Sequence, residues 1–164
     1  MEIKASVQLS TKQLYEFLMR HTYYQFSGVV GLMLSFGGMI AFFALLDNED
    51  ISAAYLGALF GIGLLFTVIQ PLIVLKNARK QAKAYKEFSL EYTFSERGIE
   101  VKQDDAEGSN GWDNVMKIVS TKRLIIIYTS RVHAYVIPRT VLQDSMEDFK
   151  ELVRNNCEAS YINI

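Results

Sequence analysis

Cysteine is all but absent: Cys157 stands alone, so no internal disulfide holds this chain, and a reducing compartment suits its C-terminal part. Histidine is nearly as scarce. His21 and His133, with scattered carboxylates, make neither a metal cluster nor a catalytic triad. Even the best enzyme material, Trp112, Asp113 and His133, forms no recognisable set, so no enzyme activity, metal or cofactor is expected. The net charge of −1 hides no broad basic face after residue 86, which argues against nucleic acid as a partner. The most telling absence is of charge within two stretches, Phe26–Leu46 and Ile51–Leu75, which hold no Asp, Glu, Lys, Arg or His.

Only Asp47, Asn48, Glu49 and Asp50 separate those stretches. At about 1.5 Å per residue, some 20 residues of helix cover a hydrocarbon core of roughly 30 Å. Unpaired backbone groups cost several kcal/mol each in lipid, so each stretch must be a helix. A four-residue connection makes the two helices antiparallel neighbours. A chain of 164 residues is too small to wrap two such rods in a soluble core. The expectation is a transmembrane hairpin over 26–75. Ala41-Phe42-Phe43-Ala44 lacks the small-x-small spacing of a signal cleavage site, so the first span is expected to stay attached.

Charge is segregated about the hairpin. Residues 1–25 carry Lys4, Lys12 and Arg20 against Glu2 and Glu16, the connector is purely acidic, and Lys76, Arg79, Lys80, Lys83 and Lys86 follow the second span with no acid among them. Lys and Arg beside span ends mark the inner side, so both termini are expected in the cytoplasm. The five basic residues, spaced mostly by three, read as a helical neck over 76–86. Anionic lipid headgroups attract each by roughly 1 kcal/mol, which makes them candidate headgroup contacts. Small residues recur in steps of four at Ser27, Gly31 and Ser35 and at Ala53, Gly57 and Gly61, the candidate helix-packing positions. Their first use would be packing the two spans together, and their second a homo-oligomer seam. Pro71, after Gln70, is expected to kink the second span.

The flanks change period. Ile3, Ala5, Val7 and Leu9 alternate with polar residues as in a half-buried strand, which needs a sheet to join beyond the hairpin. Ser10 and Gln13 read as a capping box opening a short helix, so residues 1–25 pack with the cytoplasmic domain. After the neck, over 87–164, Phe88, Leu90, Tyr92 and Phe94 alternate, Ser95-Glu96-Arg97-Gly98 turns, and Ile99–Gln103 returns. Asp104–Gly111 reads as an acidic loop. Trp112–Val119 brings apolar residues to a core through one irregular turn, Leu124–Tyr128 reads as a central strand, and the strand after it stops at Pro138. Asp144 and Glu147 suggest a cap ahead of Met146, Phe149, Leu152 and Val153, an amphipathic closing helix.

This order of parts, with Gly111-Trp112-Asp113-Asn114-Val115, Ile118-Val119 and Tyr135-Val136-Ile137-Pro138-Arg139, resembles the YcxB-like family of bacterial membrane proteins. The resemblance implies a pleckstrin-homology-like (PH-like) sheet closed by one helix and implies no enzyme activity. About five strands after the neck and one before the hairpin are expected, short of a full seven. The expected fold is α+β: a two-helix transmembrane hairpin plus a small antiparallel cytoplasmic sheet closed by a C-terminal helix. The expected function is a membrane-anchored, non-enzymatic scaffold or sensor whose cytoplasmic domain binds a protein partner or the inner leaflet, with Lys117, Lys122, Arg123, Arg131 and Arg139 as a contact patch. The alternative is an accessory subunit of a membrane transporter.

Overall fold

A computed structural model of the chain describes residues 2–85, 89–103, 106–158 and 162–164. Lys86 of the basic series, Phe88 of the first alternating run, and Asp104 and Asp105 of the expected loop lie outside the described residues. The chain divides into two compact units, Leu14–Lys80 and a second formed by Met1–Gln13 with Gln81–Ile164.

In the second unit the N-terminal strand β1 (Glu2–Val7) buries Ile3, Ala5 and Val7 and exposes the residues between them. It pairs antiparallel with β2 (Leu90–Ser95), from Glu2 opposite Ser95 to Val7 opposite Leu90. Strands β3 (Gly98–Gln103) and β4 (Ala106–Asn110) continue the meander, giving the order β1-β2-β3-β4. Strand β4 corrects the loop expected over 104–111. All but its last residue are exposed and none is large and apolar, so it carries no alternation; its ladder to β3 holds it, from Ile99 opposite Asn110 to Gln103 opposite Ala106. Gly98 opens β3 with φ of +145°, a conformation that side chains avoid, and a Cβ there would collide with the Asn110 carbonyl.

The other sheet has the order β7-β6-β5-β8, from β5 (Lys117–Ser120), β6 (Leu124–Tyr128), β7 (Ala134–Pro138) and the two-residue β8 (Ile162–Asn163), which pairs parallel with β5. Every residue of β6 is buried, as its unbroken apolar run and inner position require. Six strands thus lie between the neck and the closing helix, where about five were expected. A 3-10 segment, Arg139–Ser145, leads into that helix. The helix buries Phe149, Leu152 and Val153, and the Phe149 ring meets Phe94 edge-on with centroids 5.1 Å apart. The Asp144–Glu147 cap does not form. Ser145 precedes the helix and caps nothing with its side chain, because the 3-10 segment already supplies a wound lead-in.

In the first unit, α1 (Thr11–Tyr24) begins at the Ser10–Gln13 box, where Ser10 N–H donates to Gln13 Oε1 at 2.9 Å and Gln13 N–H to Ser10 Oγ at 3.3 Å. Next come α2 (Phe26–Leu45) and a single long helix, Ala53–Ala84, that divides into α3 (Ala53–Leu64), a π turn (Leu65–Ile69) and α4 (Gln70–Ala84). Both α2 and the long helix are long and apolar enough to cross a membrane. Most of each is exposed, with Met33, Phe36, Ile40, Phe60 and Leu72 among the uncovered side chains. The closing helix of the sheet unit, Met146–Asn156, is α5.

Candidate functional site

The basic series is built by α4 continuing past the apolar stretch. Val74, Ala78 and Ala82, four apart, are buried, which fixes one face inward. Lys76, Arg79, Lys80 and Lys83 therefore fall on the rest of the circumference and are exposed. Ion pairs among the described residues include Lys4–Glu2, Lys102–Glu107 and Lys150–Glu147; none that is described involves these four cations. On α1, Arg20 stacks over the Tyr24 ring at 4.6 Å, and His21 shares a 2.8 Å hydrogen bond with Gln25. The arrangement can attract a diffuse anionic surface.

The contact patch expected on the sheet unit does not assemble. Lys122 and Arg123 sit at the β5–β6 turn and Arg131 at the β6–β7 turn, opposite ends of a strand roughly 17 Å long. Lys117, opposite Tyr128 in the ladder, lies over its ring at 4.6 Å. Arg139 is half-buried and donates to Ser120 Oγ at 2.8 Å, clamping the far turn. The extended β6 thus splits the five charges into two groups, Lys122, Arg123 and Arg139 towards one end and Lys117 and Arg131 towards the other.

Trp112 opens a 3-10 turn, Trp112–Asn114. Its indole is 4% exposed and Nε1–H donates to the Ser95 carbonyl at 2.7 Å. Asp113 and His133 are exposed, and no group of three or more His, Cys, Asp or Glu side chains gathers among the described residues. A hollow of about 660 Å³ over the outer face of β1–β4 mixes Lys4, Glu91, Glu100, Lys102 and Glu107. Within it the 2.8 Å hydrogen bond to Glu107 raises the Lys102 ammonium and lowers the Glu107 carboxyl from their ordinary values. Burial pushes the Tyr92 phenol far above its ordinary range, with Tyr85 and Tyr135 adding to the effect.

The seam between α2 and the long helix departs from the step-of-four series. Ser27 is exposed; the buried positions of α2 are Gly28, Gly31, Ser35 and Gly38. On the partner helix Ala53, Gly57 and Gly61 are exposed, with nothing within 4 Å of a Cβ at Gly57 or Gly61, and Gly63 is buried instead. At 100° per residue a step of four drifts about 40° each time, while alternating steps of three and four stay on one face. That alternation was the signal to read. A Cβ at Gly31 would land in the Phe66 ring, and one at Gly38 would press on the Leu59 carbonyl at 3.0 Å.

The same seam holds a polar cluster that helical spacing alone does not reveal. Ser35 is 1% exposed; its hydroxyl donates to the Ile62 carbonyl at 2.9 Å and accepts from Phe66 N–H at 3.1 Å. The Tyr23 hydroxyl donates to the Phe66 carbonyl, and Gln70 N–H reaches back to Leu65 across the π turn. The π turn lies just ahead of Pro71, which offers no N–H to the preceding turn.

Residues 94–153 match a family model described as YcxB-like protein. That stretch is similar to the YcxB-like family. It runs from Phe94 of β2 through the Trp112 turn and the Ile137-Pro138-Arg139 strand end to Val153 of α5, so the YcxB-like part lies wholly in the sheet unit. No curated protein and no solved structure matches the chain.

Proposed function

We propose that this chain is a membrane-anchored, non-enzymatic scaffold or sensor: the helical hairpin crosses the cell membrane twice, with both termini in the cytoplasm, and the sheet unit serves as a PH-like binding module beside the inner leaflet. The observation that carries the reading is the exposed cationic face of α4, Lys76, Arg79, Lys80 and Lys83, placed directly after an apolar helix that is largely uncovered. Uncovered apolar surface of that extent needs lipid or a partner, and a basic series at its end fits the inner side of a bilayer. The PH-like reading is supported by two four-stranded sheets, β1–β4 and β5–β8, with α5 following the first seven strands and the two-residue β8 coming after it.

The test is retention of anionic lipid by the full chain purified in mild detergent. Four attractions of about 1 kcal/mol each predict that phosphatidylglycerol co-purifies and that changing Lys76, Arg79, Lys80 and Lys83 to Gln releases it. Equal retention by both proteins would sink the lipid contact. A second reading, an accessory subunit of a membrane transporter, draws on the open face at Gly57 and Gly61, which leaves room for a partner's helix. Crosslinking in native membranes that captures a larger membrane protein through α3 would favour it.

A further inference from the structure

We propose that the π turn Leu65–Ile69 is one of two registers open to the long helix, and that Ser35 and Tyr23 latch the register seen here. In an unbroken α-helix the Phe66 N–H donates to the Ile62 carbonyl and the Gln70 N–H to the Phe66 carbonyl. Here the Ser35 hydroxyl stands between the first pair, at 3.1 Å from Phe66 N and 2.9 Å from Ile62 O. The Gln70 N–H has moved to Leu65, and the Tyr23 hydroxyl serves the Phe66 carbonyl. Pro71 has no N–H with which to serve it, so α2 and its entry supply what the π turn takes away.

The hydroxyls decide between the registers. Resolving the turn restores two helix hydrogen bonds and gives up three made by the hydroxyls of Ser35 and Tyr23, together with the Gln70 bond to Leu65, so the register seen here is favoured only while those hydroxyls are engaged. Phe66 is the residue gripped: its ring fills the space left by Gly31 and meets the Tyr23 ring edge-on with centroids 6.3 Å apart. A π turn holds one residue more than the α-turn it replaces. Absorbing that residue into regular helix turns everything beyond it by about 100° and advances it by about 1.5 Å. Lys76, Arg79 and Lys80 would then point to a different side of the hairpin. Whatever loosens α2 from Phe66 redirects the cationic face, which supplies a sensor with a two-state element. The consequence for lipid rests on the function proposed above, whereas the latch itself rests only on the seam.

The experiment is a nitroxide accessibility scan of the full chain, with Cys157 replaced by Ala, in vesicles of phosphatidylcholine and phosphatidylglycerol. Labels placed singly over 55–62 and over 72–80 report the angular phase of each segment. In the otherwise unaltered chain the second segment is out of phase with the first by about 100° relative to an unbroken helix. Tyr23→Phe keeps the ring and its packing and removes only the hydroxyl; Ser35→Ala removes the bridging group. Closure of the phase break in either variant supports the latch. A break retained in both, or absent from the unaltered chain, overturns it. Changing Lys76, Arg79, Lys80 and Lys83 to Gln leaves the break in place, so loss of lipid retention with an intact break, or the converse, tells the two readings apart.

Discussion

Replacing Trp112 with Ala probes the sheet unit at the point where both sheets depend on one side chain. The indole is 4% exposed and joins the 3-10 turn ahead of β5 to the end of β2 through its bond to the Ser95 carbonyl. Truncating a buried aromatic to Ala costs about 3–5 kcal/mol in lost transfer and cavity energy, and the lost hydrogen bond accounts for about 1 kcal/mol of comparable effect. For a unit of this size each kcal/mol lowers the midpoint by about 4–8 °C, so a fall on the order of 12–40 °C is expected. Because β1 pairs with β2, the melt must use the full chain in detergent, followed by circular dichroism, and not a fragment starting after the neck. Trp112→Phe should keep most of the packing and lose about 1–2 kcal/mol. A Trp112→Ala midpoint within about 4 °C of the parent would refute the assignment of this indole as a core anchor.

Gly98→Ala forces a side chain into φ of +145° and against the Asn110 carbonyl; a loss of about 1–3 kcal/mol is expected, and a urea midpoint equal to the parent's would contradict it. Tyr92 makes alkaline stability a test of burial. Its folded phenol is raised above the ordinary 10.0, so the fold keeps a proton that the unfolded chain gives up. The contribution is complete below about pH 10 and declines above it by about 1.4 kcal/mol per pH unit until the folded phenol itself ionises. Tyr92→Phe should therefore lose less stability than the parent between about pH 9 and about pH 11; identical losses would rule the effect out.

How much of this was legible beforehand follows from which force shapes each part. The mixture of two apolar helices with an antiparallel sheet was readable, because burial writes period into Ile3-Ala5-Val7, Leu90-Tyr92-Phe94 and Phe149-Leu152-Val153. Strand β4 was not, since backbone pairing at a sheet edge asks nothing of the Ala106–Asn110 side chains. The contact patch splits in two because the length of β6 lies between the turn that holds Lys122 and Arg123 and the turn that holds Arg131. Ser27, Ala53, Gly57 and Gly61 fall outside the seam between α2 and the long helix because a step of four drifts around the helix. The cluster at Ser35, Phe66 and Tyr23 joins residues distant in sequence, and a lone serine in an apolar run carries no mark of which carbonyl it meets.

The central claim is that the hairpin crosses a bilayer with its acidic tip on one side and the sheet unit on the other. Single cysteines at Asn48 and at the exposed Glu96, in a chain with Cys157 replaced by Ala, can be challenged in intact cells with a membrane-impermeant maleimide. The account predicts that Asn48→Cys reacts in intact cells, that Glu96→Cys reacts only after lysis, and that the chain stays with the membrane until detergent is added. Labelling of both positions from the same side, or a chain that remains in solution without detergent, would contradict it.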